Sequence, residues 1–369
     1  MTSNILSQQY ESYLDPGGPY QALSSHEITW RDRQQFLESK GYMLRPRLRP
    51  GWTPSWLETG TYWRRAEDSA KLPGRPLLVD ATRIVDGKLV YIKEVQTNDE
   101  ESRIALLLNS YEDIDNHSVP ILDTFVDPTD ETISYLVMPF LRLLNEPPFE
   151  SIGEILDFVD QILKGLTFMH SKGVAHRDCS PKNILMDAAN MYPLGFHPVR
   201  DIYLHDVSTL APIIPRSEVG VKYYFVDYGI SSYFPAGSQE RLVLGTAGRD
   251  QDVPELSDVV PYDPFKVDIF TIGNVFRQVF RDKYSNCQFF TPIIESMMRS
   301  NPADRPSAAD AFQQWRSIRS GVRPLDRFWR PRGREETSLS SFVYDLVHIF
   351  TSITYTLQSL RRRLRRSIT

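Results

Sequence analysis

The chain is short of sulfur. Its 369 residues hold two cysteines, Cys179 and Cys287, so no disulfide framework can carry the fold and a reducing compartment is expected. No uninterrupted apolar run reaches about 18 residues, so no membrane-spanning helix is expected. The first residues, Met1-Thr-Ser-Asn-Ile-Leu-Ser-Gln-Gln9, have neither a basic cluster nor an apolar core, and no secretory leader is expected. Positive charge is not in excess. The 42 Lys and Arg stand against 47 Asp and Glu, a net −5, which argues against a general nucleic-acid binder, whose affinity comes from neutralising phosphates. These absences lead to the expectation of a soluble intracellular protein of the cytoplasm or nucleus with no nucleic-acid partner. What is present is globular in composition, 41% hydrophobic and 24% charged, and long enough to bury a sizeable core.

The stretch His176-Arg-Asp-Cys-Ser-Pro-Lys-Asn183 puts Asp178 five residues before Asn183. A phosphoryl-transfer loop uses that spacing to supply a carboxylate for the attacking hydroxyl and an amide for Mg²⁺. Downstream, Tyr224-Phe-Val-Asp-Tyr-Gly229 is an apolar β-type run that delivers Asp227 and stops at a glycine. At these residues the sequence resembles the protein kinase family, with Tyr228 where that family usually has Phe. The resemblance implies an α+β fold of two lobes, a small antiparallel-sheet N-lobe and a mainly helical C-lobe. It implies ATP and Mg as cofactors and transfer of the γ-phosphoryl group to a protein hydroxyl, Ser or Thr by default.

The rest of the chain is read in order. Residues 1–23 are polar, with a Pro-Gly-Gly break, and little order is expected there. A short helix is expected from Thr29, with Gly41 as its stop. Leu44 to Trp56 is expected to be extended because Pro46, Pro50 and Pro54 fix their own φ and push their predecessors out of the helical region. Arg45, Arg47 and Arg49 read first as solvated side chains of a strap and second as an arm for an anionic ligand. Trp52, Trp56 and Trp63 read as pins for that strap. Leu77–Ile84 and Lys88–Val95 form a hairpin about Asp86-Gly87, Asn98–Ser110 a helix, and Val119–Val126 with Ile133–Phe140 complete a small sheet packed on it. Ser151-Ile-Gly-Glu154 is a capping box that opens a buried helix. Asn183 and Asp227 lie 44 positions apart, so an insertion at about residues 187–221 is expected. The expected domains are an extension at 1–70, an N-lobe at 71–141, a C-lobe at 142–325 and a tail at 326–369. In the tail, Phe342, Leu346, Ile349, Phe350, Ile353 and Leu357 recur near helical spacing before Arg361, Arg362, Arg363, Arg365 and Arg366. Two readings of it stay open: a weak contact with an anionic membrane surface or a partner, and packing against the C-lobe.

By resemblance, Val90-Tyr-Ile-Lys93 is the strand whose Lys grips the α- and β-phosphates, and Glu101, with Glu100 as the alternative, is the ion-pair partner that orients it. Met138 would be the gatekeeper, and the backbone of Pro139, Phe140 and Leu141 would face adenine. Asn183 and Asp227 would hold Mg²⁺ while Asp178 accepts a hydrogen bond from the substrate hydroxyl. His176 reads as a support for the loop, and Cys179 as a small packed residue. Arg177 could pair with a phosphorylated or acidic activation segment, in which Ser231, Ser232, Ser238 and Thr246 are available. Thr246 is expected to hydrogen-bond Asp178. Asp268 would brace the catalytic loop, and Arg305 would pair with Glu255. The ordered set, with Ala175-His-Arg-Asp-Cys179, Gly195-Phe-His-Pro198 and Asp263-Pro-Phe-Lys266, is similar to a large fungal group of protein-kinase-like proteins.

Two departures from the family pattern matter. Ser180 stands where Ser/Thr kinases carry a cation two residues after the catalytic Asp, and Lys182 is expected to fold into that space. No G-x-G-x-x-G precedes Lys93, and Leu77 to Arg83 lies where that loop should be. A nucleotide-binding pseudokinase scaffold is therefore an alternative, and a small-molecule phosphotransferase is a third reading.

Overall fold

Helix α1 (Ser25–Asp32) begins four residues before the expected start, because Glu27 at its third position accepts the Ser24 backbone N–H at 2.9 Å. Helix α2 (Gln34–Ser39) follows, and Gly41, at φ +92°, ends it as expected. The computed structural model describes residues 20–366, with side chains in the last helix described as far as Tyr355. The expected lack of order at residues 1–19 lies outside the described residues. The described chain forms two compact units. One comprises the residues up to Asp99 with Pro120–Phe140 and Ala189–Ile214, and the other Glu100–Val119, Leu141–Ala188 and everything from Pro215.

In the first unit, β1 (Tyr42–Leu44), β2 (Leu78–Arg83), β3 (Leu89–Gln96), β4 (Asp123–Val126) and β5 (Ile133–Pro139) form one antiparallel sheet in the order β1-β2-β3-β5-β4. Strand alternation sends Val90 and Ile92 of β3 into a core with Trp30, Leu37, Tyr135 and Val137. Helices α1 and α2 therefore cover that face. The helix expected to pack on the sheet is grouped with the second unit.

The expected strap is not extended throughout, and of its three arginines only Arg49 is exposed. Pro46 starts a 3₁₀ turn (Pro46–Leu48) and Pro54 precedes α3 (Ser55–Thr59), since a proline φ also suits the first turn of a helix. Arg45 and Arg47 are buried. Arg45 donates to Asp80 at 2.7 Å, and Arg47 donates to Glu27 at 2.8 Å, each also reaching main-chain carbonyls. A buried guanidinium persists only with such partners. Neither is therefore an arm for an anionic ligand. Trp56 and Trp63 pack with Ala66, and the Trp52 indole N–H donates to Asp68 at 2.9 Å.

Residues 189–214, within the expected insertion, belong to this unit too. His197 accepts the Val199 and Arg200 backbone N–H groups at Nδ1, so Nε2 carries the proton toward Glu67, 3.0 Å away. Arg200 donates to the Arg64 carbonyl at 2.6 Å and to Ser69 Oγ at 2.5 Å. Gly195 sits at φ +74°, a backbone conformation that side chains with a Cβ rarely adopt.

The second unit holds α4 (Glu100–Asn109) and α5 (Ile152–Ser171), whose cap Ser151 accepts the Glu154 N–H at 3.2 Å. Strands β6 (Arg142–Leu143), β8 (Ile184–Asp187) and β9 (Lys222–Phe225) pair antiparallel, as do β7 (Val174–Ala175) with β10 (Ser232–Tyr233) and β11 (Val243–Gly245) with β12 (Ser257–Tyr262). Helix α6 (Arg216–Val219) returns the chain from the insertion, with Arg216 buried beneath the Leu144 carbonyl and the Tyr223 hydroxyl. Helices α7 (Pro264–Phe276), α8 (Thr291–Met297), α9 (Ala308–Gly321), α10 (Pro324–Phe328) and α11 (Ser338–Arg366) complete it. No described helix is long and apolar enough to cross a membrane.

Candidate active site

Strand β7 leads into His176 and Arg177, whose backbone N–H groups both end on Asp268 of α7, at 2.8 and 2.6 Å. The same buried carboxylate lies 3.0 Å from His170 Nε2. Three donors on one carboxylate fix the turn, in which Arg177 is held at φ +67°. His176 is fully buried and accepts the Asp178 N–H at Nδ1, which leaves Nε2–H to donate to the Val226 carbonyl at 3.0 Å. It supports the loop. Cys179 is fully buried, and burial, followed by the nearby Asp268 and Asp178 carboxylates, pushes its thiol well above the ordinary range, so it is no nucleophile.

Asn183 donates its amide nitrogen to the Asp178 carbonyl at 3.0 Å and to Asp178 Oδ2 at 2.8 Å. That arrangement leaves the Asn183 side-chain Oδ1 as its ligand toward a cation. Ile184 stands opposite Phe225 across β8 and β9, and the Val226 N–H donates to the Asn183 carbonyl at 3.0 Å. Asn183 and Asp227 therefore emerge from adjacent strand ends. Asp227 sits at φ +69°, and a Cβ on Gly229 would lie 3.6 Å from Asp227 Oδ1 and 3.7 Å from Glu101 Oε2. Glu101 and Asp227 thus face the same glycine, whereas Glu100 is exposed and lies 3.6 Å from Arg103. Tyr228 is buried against His176, and its hydroxyl donates to the Phe225 carbonyl at 3.1 Å. Burial raises that phenol further, so it stays neutral.

Among the described residues no group of three or more His, Cys, Asp or Glu could hold a metal. The donor set present, one amide oxygen and one carboxylate, nonetheless fits Mg²⁺, which keeps waters and takes its remaining ligands from phosphates.

Lys93, and Met138 to Phe140 of the segment expected to face adenine, belong to the first unit. Lys93 pairs across the sheet with Leu78 and Leu136, and strand alternation puts it on the face of Tyr91, away from α1 and α2. Met138 and Pro139 end β5. Phe140 stacks on Tyr91 with ring centres 4.3 Å apart and meets Phe196 of the insertion edge-on at 5.5 Å. The Phe140 N–H donates to the Leu89 carbonyl at 3.3 Å, so of the amides expected to read adenine this one is spent on the sheet. Leu141 begins the return to the second unit. Leu78 to Arg83 is the regular strand β2, and the link from β1 to it is residues 45–77.

Around Asp178 and the activation segment the geometry differs from the expectation at several residues. Thr246 does not bond Asp178, and its hydroxyl lies 3.4 Å from Asp258. The Arg249 backbone N–H takes that place, donating to Asp178 Oδ1 at 2.8 Å, with Arg249 Nε 3.6 Å from Oδ2. Gly245 at φ +116° and Gly248 at φ +123° turn the chain so that residue 249 arrives there. Lys182 is exposed, and Arg249 is a cation beside Asp178 that the sequence did not reveal. Arg177 is already engaged with the activation segment, donating to the Ile230 and Leu244 carbonyls and the Tyr262 hydroxyl at 3.1, 2.9 and 3.2 Å, while its buried Nε has no partner among the described residues. Ser231 is buried and donates to the His176 carbonyl, which removes it from the available hydroxyls. Arg249 escaped the sequence reading, and the only signal for it was the pair of glycines before it. Arg305 meets Glu255 through two nitrogens, at 2.5 and 2.8 Å.

Comparison with known proteins agrees with this geometry. Over 182 residues, 42% of this chain and 30% of the relative, it is 25% identical to serine/threonine-protein kinase chk1 of Schizosaccharomyces pombe. It is 25% identical over 172 residues to a probable serine/threonine-protein kinase of Dictyostelium discoideum, covering 45% of this chain and 22% of the relative. It is 40% identical over 74 residues to mitogen-activated protein kinase sty1 of Schizosaccharomyces pombe, covering 19% and 20%. The chain thus spans less than a third of the length of each. The family described as Protein kinase domain matches residues 79–285, more than half of the chain, and the chain belongs to the protein kinase family.

Proposed function

We propose that this chain is an ATP- and Mg-dependent protein kinase that passes the γ-phosphoryl group to a Ser or Thr hydroxyl of a protein. The observation that carries the reading is the Asp178 carboxylate, held at 2.8 Å by Asn183 within a loop that Asp268 braces by two backbone bonds. Phosphoryl transfer asks a protein for position and charge rather than covalent chemistry. Asp178 accepts the hydrogen bond of the incoming hydroxyl and orients it. Asn183 and Asp227 hold Mg²⁺, which, when bound, neutralises charge on the phosphates. Lys93 anchors the α and β groups. The Pro139 carbonyl and the Leu141 N–H read adenine, since Phe140 has used its amide in the sheet.

The first test is binding. Mg-ATP is expected to raise the melting temperature, EDTA to abolish the rise, and Asp227→Asn to behave as wild type in EDTA. A rise in Asp227→Asn equal to that in wild type would remove Asp227 from the metal site.

Arg249 takes the role expected of Lys182. Its guanidinium lies beside Asp178, with Nε 3.6 Å from Oδ2, and Ser180 supplies no cation of its own. Removing one such stabilising group costs about 10²-fold in kcat. Arg249→Ala is therefore expected to lose about that factor, Arg249→Lys to lose less, and Arg249→Ala/Ser180→Lys to recover activity over the single variant. Activity of Arg249→Ala equal to wild type would deny it the role.

A nucleotide-binding pseudokinase is the second reading. It is favoured by β2, a regular strand in place of a glycine loop over the phosphates.

A further inference from the structure

Helix α11 is about 43 Å long and carries its apolar side to solvent. Leu339, Phe342, Leu346, Phe350 and Ile353 are 51–75% exposed although each is large and apolar. At 100° per residue they fall, with Val343 and Val347, on one arc of about 140°. The other side is fastened to the chain beneath it. Asp345 accepts from Arg330 at 2.8 Å and from Arg332 at 2.7 Å, Arg330 reaches the Ser341 carbonyl at 3.1 Å, and His348 Nε2 is 2.9 Å from the Phe328 carbonyl. The residues of this arc therefore do not pack on the rest of the second unit, whereas Ile349, beside the arc, is half-buried. An exposed apolar stripe on a helix held by its polar side marks a surface meant to be covered.

Charge says by what. Residues 316–369 hold twelve Arg and no Lys against Asp326, Glu335, Glu336 and Asp345, a net +8. The chain as a whole is −5, so residues 1–315 carry −13, and the positive charge is gathered at the end that bears the apolar stripe. The apolar register continues in the sequence at Leu357, Leu360 and Leu364 among five closing arginines. A nucleic acid would answer the charge and leave the apolar arc in water. A second copy of the helix would cover the arc and bring like charges together. An anionic lipid surface answers both features, with the arc in the acyl boundary and the arginines at the headgroups. We infer that α11 lies in the plane of an anionic membrane and holds this chain there.

The test uses the full chain, floated with phosphatidylcholine vesicles with and without phosphatidylserine. Binding is expected only where phosphatidylserine is present and is expected to weaken with salt. Leu346→Glu/Phe350→Glu is expected to reduce partition more than tenfold with the melting temperature unchanged, because both side chains are exposed. Replacing Arg361, Arg362 and Arg363 by Gln is expected to weaken it by about fivefold per arginine. Three outcomes of the vesicle and sedimentation measurements overturn the inference. They are no binding to phosphatidylserine vesicles, binding untouched by the glutamate pair, and lipid-free dimers in sedimentation that the glutamate pair makes monomeric. Tighter binding to a nucleic acid than to vesicles, lost in the arginine variant, would also overturn it. None of these readouts depends on phosphoryl transfer.

Discussion

Asp178→Asn is expected to lower phosphate incorporation from Mg-ATP by about 10² to 10⁴-fold, the range for loss of a general base, while leaving the Mg-ATP melting shift intact. The substitution changes one oxygen to nitrogen in a carboxyl whose surroundings are known. Oδ1 accepts the Arg249 N–H and Oδ2 the Asn183 amide, so an amide can still satisfy one of these donors through its remaining oxygen. What it loses is the negative charge that draws the substrate hydroxyl. The stability change should accordingly be small and the rate change large. Equal phosphate incorporation by wild type and variant would end the enzyme reading. Nucleotide binding without incorporation in either would select the pseudokinase.

The second large effect is on folding. Arg47 and Glu27 are both fully buried and meet at 2.8 Å. Arg47 also donates to the Tyr20, Ala22 and Asp68 carbonyls at 2.7, 2.9 and 3.2 Å and lies 4.6 Å from the Trp52 ring centre. Glu27 in turn accepts the Ser24 and Leu72 N–H groups at 2.9 and 3.1 Å. Removing one partner of a buried pair strands the other, so Arg47→Ala is expected to destabilise the first unit by about 3–5 kcal/mol, a large part of a domain's margin. Urea unfolding followed at Trp30 or Trp52 measures it, and an unchanged midpoint would refute it. Acid reads the same pair. Burial pushes the Glu27 carboxyl up, but the bonds from Arg47 and the two N–H groups outweigh it and hold it at about 2, from an ordinary 4.5. A depressed carboxyl contributes stability above its unfolded value, here about 3 kcal/mol, and that contribution is lost as pH falls from about 4.5 toward about 2.

The sequence made legible what is local or ordered. Asp178 and Asn183 share one loop, and Asp227 follows an apolar strand. Asp268 and the Glu255–Arg305 pair belong to motifs whose order survives without coordinates. The illegible parts depend on distant chemistry. Arginine is a surface residue by default, so nothing in Leu44 to Trp56 says that Glu27 and Asp80 await Arg47 and Arg45. A strand of three residues, Tyr42–Leu44, is too short to show a period. Arg249 reaches Asp178 only because two glycines take positive φ, a choice that composition does not reveal. The apolar stripe of α11 was visible, but whether it faced inward was set by the polar anchors at Asp345 and His348.

The placement of residues 189–214 has a consequence for how this protein is made. The polypeptide passes between its two units five times, and the first unit is complete only when residue 214 has been added, past the midpoint of the chain. A fragment ending at residue 140 would lack His197 and Arg200, which donate to Glu67 and to the Arg64 carbonyl. No single cut therefore separates the halves, and a ribosome must carry the nascent first unit unfinished through the synthesis of the catalytic loop.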